Sequence, residues 1–272
     1  MVEVDNDILT ISIEDFLDSK FGGYFSAIDY DKRNVLTKEK SLEDQTLVLL
    51  GLLASPNVDL NIVRNEVEYL KNSFDSDVGG FIEFKESYGL VNELGSAKTT
   101  YRTLNALYGL LKAARIFKDQ QLISMIVEQF KQLQKMAYDL NTKTYINKLS
   151  RDYDQTLDSN EHTLSLAISI LLSINLINSN DDDAPYFKNI LDRDLHSLID
   201  KIKINHVIID ITDKYGNSLP NSVVDGEVAA ITISALVKAH EYQPSIEIAL
   251  LIKKQLKFLN DHLWDHVSCI PI

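Results

Sequence analysis

The chain has 272 residues, 45% of them hydrophobic and 25% charged, which is ordinary globular usage and enough material for one large domain or two smaller ones. Forty acidic against 27 basic residues leave a formal charge of -13, which repels phosphate backbones and anionic membrane surfaces and argues against nucleic-acid binding. The lone cysteine, Cys269, allows no intrachain disulfide, and the acidic start MVEVDNDILTISIEDF lacks the basic, apolar character of a signal peptide. The most apolar run, Leu166 to Ile177, is interrupted by Ser and Asn and falls short of the ~20 residues that span a bilayer. A soluble cytoplasmic protein without membrane, metal or cofactor is expected.

In chain order, the first distinctive segment is DSKFGGYF at Asp18–Phe25, which returns fifty-seven residues later as DSDVGGFI at Asp75–Ile82. Self-similarity at a fixed period marks a repeat architecture. With Asp18 set over Asp75, Thr46-Leu47 falls on Thr103-Leu104 without a gap. A third copy, its glycines lost, begins at Asp139 as DLNTKTYI; a fourth is read at Asp210 and a fifth at Asp265. The glycine pairs are read as supplying positive φ or close chain approach directly after a helix ends. A phosphate-cradling loop is disfavoured, since no Lys-Ser/Thr follows and acids dominate nearby.

Each unit carries two helical patterns. The first is small and apolar all round (TLVLLGLLAS, TLNALYGLLKAA, TLSLAISILL, AAITISALVKA), which requires burial on most sides. The second is amphipathic, as in NIVRNEVEYLKNSF and DQQLISMIVEQFKQLQKMAY. Buried and surface helices therefore alternate, and such hairpins bury their faces only by stacking in sequence. About nine helices are expected, with approximately parallel inner helices near 42–54, 98–115, 160–176 and 226–241. Short β segments such as GGYFSAIDYDKRNVL fill the loops.

On FLDSKFGGYFSAID (Phe16–Asp29) and SFDSDVGGFIEF (Ser73–Phe84), each followed by a buried helix, the chain resembles the (α/α) toroid proteins of the N-acylglucosamine 2-epimerase and six-hairpin glycosidase type. The resemblance covers about residues 14 to 272. It implies one all-α domain over 1–272: repeated helical hairpins forming an (α/α) toroid or open arc, with units starting near 18, 75, 139, 210 and 265 and the β-bearing loops at one end. It further implies a sugar epimerase, isomerase or glycoside hydrolase, or a degenerate relative that only binds sugar. Epimerases of this type are expected to carry paired histidines and an arginine on the inner helices, and the first two inner segments here carry no histidine.

Aligning the inner helices places Gln45, Arg102, His162 and Glu227 at one position just before the apolar run. Converging on a central cavity, they would suit a sugar or sugar acid; otherwise they are solvated first-turn residues. His162, beside Glu161 and four residues after Asp158, is the candidate general acid/base, with Glu227 as catalytic carboxylate. Gln45, Tyr101, Arg102 and Glu161 are the candidate substrate-binding residues. Further carboxylate pairs (Asp29/Asp31, Glu83/Glu86, Asp152/Asp154, Asp225/Glu227) could serve glycoside hydrolysis or be acidic surface. The loop aromatics Tyr24, Phe25, Tyr30, Phe81, Phe84, Tyr88, Tyr101, Tyr145 and Tyr153 could stack sugars, although core packing suits Phe25, Phe81 and Phe84 better. His262 and His266 have metal-pair spacing but no third ligand. The second function class left open is a non-catalytic helical-repeat scaffold, with a protein partner or self-association at the C-terminal edge.

Overall fold

The computed structural model describes residues 13–29, 34–86, 97–179, 182–220, 222–262, 264–265 and 270–271. Eight α-helices are present among these residues: α1 (Leu42–Ala54), α2 (Leu60–Lys71), α3 (Thr100–Phe117), α4 (Gln120–Ala137), α5 (Thr163–Ile177), α6 (Ala184–Asn205), α7 (Gly226–Tyr242) and α8 (Ile246–His262), preceded by a single 3₁₀ turn at Ile13–Phe16. Odd-numbered helices form the inner layer, packing α1 on α3, α3 on α5 and α5 on α7, and each even-numbered helix covers the inner helix before it. Apolar character sets the layers. Thirteen of the fifteen residues of α5 are buried, Ser165, Ser169 and Ser173 included, whereas α2 and α4 bury one stripe each. The fold is thus the all-α hairpin toroid expected from the sequence. No described helix is long and apolar enough to cross a membrane.

Eleven short strands sit at the ends of these helices: β1 (Glu39–Ser41), β2 (Phe84–Glu86), β3 (Lys98–Thr99), β4 (Tyr138–Asp139), β5 (Thr144–Tyr145), β6 (Lys148–Leu149), β7 (Thr156–Asp158), β8 (Glu161–His162), β9 (Ile211–Thr212), β10 (Trp264–Asp265) and β11 (Ile270–Pro271). Their pairing joins one unit to the next. The strand before each inner helix lies antiparallel to the strand after the following unit's turn, as β1 with β2, β3 with β6 and β8 with β9. The first amides of α1, α3 and α5 complete the join: Leu42 N donates to Glu83 O (2.7 Å), Thr100 N to Asn147 O (2.9 Å) and Thr163 N to Asp210 O (2.7 Å). Because Lys98-Thr99 and Glu161-His162 are used as strands, α3 and α5 start two to three residues later than the apolar pattern suggests.

Within a unit, a seven-residue spacing closes the turn: Leu17 bridges Tyr24, Phe74 bridges Phe81, and Tyr138 pairs with Tyr145. The anchor aspartate accepts from the residue four ahead, Gly22 N to Asp18 O (2.8 Å) and Gly79 N to Asp75 O (2.7 Å). All four glycines take positive φ, Gly22 at 74°, Gly23 at 68°, Gly79 at 84° and Gly80 at 71°. Lys143, at the Gly79 position of the third unit, adopts φ 57° without a glycine's freedom. The fourth unit departs from the sequence reading. There His206 holds the positive φ (66°), and Asp210 occupies the place of Glu83 and Asn147. A second turn, at Asp213–Asn217, follows it. The turn aspartate has no counterpart in that unit, so KYGNS marks this second turn and not the repeat. Of the fifth unit, only β10 and β11 are described; His266 and Cys269 lie outside the described residues.

Two lysines are spent inside the repeat. Lys40 Nζ reaches Asp18 Oδ2 (2.8 Å) and Gly22 O, and Lys98 Nζ reaches Asp75 Oδ2 (3.0 Å) and Phe81 O (3.1 Å). Arg151 adds a two-pronged contact to Asp75 (2.8 and 3.0 Å). The third unit reverses the charges: Glu161, in the place of Lys40 and Lys98, pairs with Lys201 of α6.

A Cβ on Gly79 would come within 2.4 Å of Gln132 Oε1, so Gly79→Val combines a forbidden φ with a clash. It is expected to lower stability by ~1–3 kcal/mol in urea unfolding, while Lys143→Gly leaves it unchanged or raised. The Arg151 guanidinium, with Lys98 behind it, outweighs burial and holds the Asp75 carboxyl well below its usual range. A depressed folded pKa gives stability that is present above the unfolded value of about 4 and is lost as pH falls below it. Unfolding measured between pH 6 and 2 is therefore expected to show a shallower acid loss in Asp75→Asn than in the parent chain.

Candidate functional site

The first turns of the inner helices converge. Three of them are held by a side-chain cap: Ser41 Oγ accepts from Asp44 N (3.0 Å), His162 Nδ1 from Leu164 N (3.4 Å), and Asp225 Oδ1 from Glu227 N (2.8 Å) and Val228 N (3.0 Å), while Thr99 before α3 makes no such bond. Tyr101 on α3 touches both neighbours, its hydroxyl donating to Glu43 Oε1 on α1 (3.1 Å) and its ring lying 4.3 Å from the His162 ring at 32°. Neighbouring inner helices with their N-termini in contact run parallel, as expected. Tyr101 thus ties the starts of α1, α3 and α5 into one cluster, called the mouth below.

Arg102 organises the mouth. Its Nε donates to Glu43 Oε2 (3.0 Å), its Nη1 to Glu83 Oε2 (3.2 Å), and its guanidinium sits over Phe84 at 5.5 Å. Glu83 is fully buried, and its other oxygen accepts from Thr99 N. Against the cost of burial, Tyr101, Glu43 and Glu83 raise the Arg102 pKa, so the group stays charged. Burial pushes the Tyr101 hydroxyl up to about 12. Burial also pushes the His162 imidazole down to about 4, with Lys201 and Arg102 adding to the effect against the carboxylates of Asp210 and Asp225. Neutral and accepting at Nδ1, His162 carries its proton on Nε2, which makes that atom a donor. Partial desolvation, then Glu43 and Asp225, raise the Glu227 carboxyl.

The aligned set of four separates in the structure. Cap positions show that Gln45 is the fourth residue of its helix, Arg102 the third and Glu227 the second, while His162 is a cap. Arg102 and His162 both meet Tyr101, and Glu227 feels the Glu43 carboxylate of α1. Gln45 does not reach it: 1% exposed, its amide closes on the Tyr24 backbone, Oε1 from N and Nε2 to O, both 2.7 Å. Glu161 faces outward to Lys201 and is fully buried. Tyr101 is at the mouth. Glu43 and Glu83 complete the site; Glu83 stood out only as one of many carboxylates, and Glu43 had no mark in the ungapped repeat.

Among the aromatics, Tyr24, Phe81, Tyr145 and Tyr153 are buried, and Phe84 packs under Arg102. Asp31, Tyr30 and Tyr88 lie outside the described residues, as does the Glu86 side chain. Asp154 accepts from Ser150 Oγ (2.6 Å) within its own loop.

No protein-family model matches the chain, and no curated protein matches its sequence. Solved structures do resemble it. Cellobiose 2-epimerase from Bacillus thermoamylovorans is 14% identical with a TM-score of 0.78, over 93% of this chain and 69% of that one. D-mannose isomerase is 12% identical with a TM-score of 0.76, over 95% and 70%. The GH76 α-mannanase of Bacteroides thetaiotaomicron is 11% identical with a TM-score of 0.69, over 93% and 67%. At such identities the likeness shows the fold, an (α/α) toroid shared by sugar epimerases, isomerases and glycoside hydrolases.

The desolvated stacking of His162 on Tyr101 has a direct readout. In an NMR titration its imidazole is expected to stay neutral from pH 8 to 5 and to protonate near pH 4. A midpoint near the ordinary value of about 6.5 would show a solvated ring and remove His162 from the mouth as described.

Proposed function

We propose that this chain is a carbohydrate-active toroid protein that takes a neutral sugar at the mouth formed by α1, α3, α5 and α7. The observation that carries this is the Glu43–Tyr101–Arg102 cluster with His162 stacked beside it: an aromatic surface edged by charged hydrogen-bonding groups, which is what a sugar's apolar face and hydroxyls require. The charge of the mouth favours a neutral sugar over the sugar acid that Arg102 alone would suggest. Arg102 is already matched by Glu43 and Glu83, and Glu227 and Asp225 add further negative charge.

In the catalytic role assigned to this site, His162 donates Nε2–H to a sugar oxygen and Glu227 exchanges the proton. A carboxyl with a raised pKa is nearer the working range of a general base, while an imidazole at about 4 is a poor one. That division of labour fits proton transfer beside a sugar carbonyl, one chemical route to epimerisation or isomerisation, and a cellobiose 2-epimerase and a D-mannose isomerase share the fold. Gln45 and Glu161 serve the scaffold.

Thermal shift against a panel of neutral aldoses and disaccharides, with glucuronate as the acidic comparison, tests the binding. Stabilisation by at least one neutral sugar is expected, lost in Arg102→Ala and Tyr101→Ala. Solvent deuterium exchange at sugar C2, followed by NMR, tests the chemistry: exchange by the parent chain is expected, and Glu227→Gln should abolish it while keeping the thermal shift. Stabilisation by glucuronate alone would overturn the charge argument, and hydrolysis without exchange would replace isomerase chemistry with glycosidase chemistry.

A further inference from the structure

On the flank of the first unit, the turn over Leu17–Tyr24 and one face of α2 enclose a cavity of about 560 Å³, within the range that holds small organic molecules. None of the mouth residues lines it. Phe21, Tyr24 and Tyr69 supply aromatic walls, and the single inward acid on α2 is Glu66, which is 1% exposed and whose Oε1 has no hydrogen-bond partner. A buried oxygen left without a donor costs about 1–3 kcal/mol, so natural structures leave few of them.

Comparison between units shows why this one is left over. Gln132 covers Gly79, and three residues earlier Gln129 accepts from Gly80 N (3.1 Å); on α8, Gln255 likewise accepts from Ile208 N (3.2 Å). On α2, Tyr69 covers Gly22 and Gly23, and the residue three earlier is Glu66. Here the turn amide of Tyr24 goes to Gln45, and Glu66 receives nothing from the turn. An acid thus stands on α2 where α4 and α8 carry a turn-binding glutamine, at a turn whose Tyr24 amide is bound from α1 instead.

The surrounding charges are already matched. Asp18 accepts from Lys40 Nζ and from the amides of Lys20 and Phe21 (both 3.1 Å), Lys40 also binds Gly22 O, and Glu68 is exposed and paired with Lys71 (2.7 Å). Asn65 and Asn72 are neutral. Ionised Glu66 would be the unmatched charge, and one positive donor balances it. We propose that this cavity binds a small organic primary amine, its ammonium received by Glu66 and its apolar body held against Phe21 and Tyr69.

Burial pushes the Glu66 carboxyl up to about 8 against the opposing pull of Lys40, so it is roughly nine-tenths protonated at pH 7. An arriving ammonium takes the place of that proton, which passes to solvent. Calorimetric titration of the whole chain with phenethylamine and cyclohexylamine, in phosphate and in Tris at pH 7, reads the release directly. Close to one proton released per amine is expected, with 2-phenylethanol binding at least tenfold more weakly and releasing none. Glu66→Gln restores the residue type the fold uses on α4 and α8; it is expected to melt near the parent chain, to bind the amines at least tenfold more weakly and to release no proton. Phe21→Ser, at a half-exposed wall, is expected to weaken phenethylamine severalfold with the proton count unchanged. Absence of amine binding, equal binding of the alcohol, or unaltered proton release in Glu66→Gln would each overturn the assignment.

Discussion

The join between units, in which the first amide of an inner helix donates to a carbonyl beyond the next unit's turn, is the constraint on which the rest depends. A helix leaves its first amides without internal partners, and when the helix start is buried those amides must find acceptors elsewhere. For α1, α3 and α5 the acceptor is one unit ahead. Each bond contributes about 1 kcal/mol net, but leaving it unmade in a buried setting costs more than making it gains. The consequence is positional: α1, α3 and α5 each begin at a fixed place relative to the next unit, which brings Glu43, Tyr101, Arg102 and His162 within reach of one another.

The buried ion pairs act on the same geometry from the other side. Asp18–Lys40 and Asp75–Lys98 tie each turn to the strand before its inner helix, with both partners nearly inaccessible. Desolvation offsets most of the attraction in such pairs, so their net stability is small, while breaking one strands a buried charge. The third unit keeps the requirement and changes the means. Asp139 turns to its own loop, accepting from Asn141 N (2.8 Å), and the buried position is served by Glu161 with Lys201 from the outer helix. What persists across the first three units is a neutral buried pair at that point, with its polarity free to invert.

The architecture was legible in the sequence because it is written in periodicity. Apolar runs locate all four inner helices to within three residues, and the glycine pairs mark the positive φ of the turns. The site was only partly legible, for a reason of register. The ungapped match of Thr46 on Thr103 uses a period of fifty-seven, whereas the caps and the buried lysines, Lys40 with Lys98 and Ser41 with Thr99, repeat at fifty-eight. One residue on a helix is a rotation of about 100°, enough to turn Gln45 into the interior and to hide Glu43, the true neighbour of Tyr101. The lysine before each cap was visible in EKSLEDQ and AKTTYRT and would have corrected the register. Glu161 could not have been placed from sequence, since its partner lies forty residues on.

The charge of the mouth follows from how the helices are capped. Each inner N-terminus presents about half a positive charge, which on its own would draw anions. In this chain acids close to the helix starts take that role: Glu43 and Asp44 on α1, Asp225 and Glu227 on α7, with Glu83 supplied to α3 from the neighbouring unit. Arg102 is the cation they share, and it is held by two carboxylates at once. Four helix ends and one guanidinium against five carboxylates leave the mouth negative or near neutral, rich in acceptors and with few free donors. A ligand that offers many hydroxyl donors and no negative charge complements such a surface, whereas a carboxylate-bearing sugar would have to displace Glu43 or Glu83 from Arg102. Displacing Glu83 would in turn strip the Thr99 amide of its acceptor and loosen the start of α3. The same residue therefore links the start of α3 to the sugar selectivity proposed for the mouth.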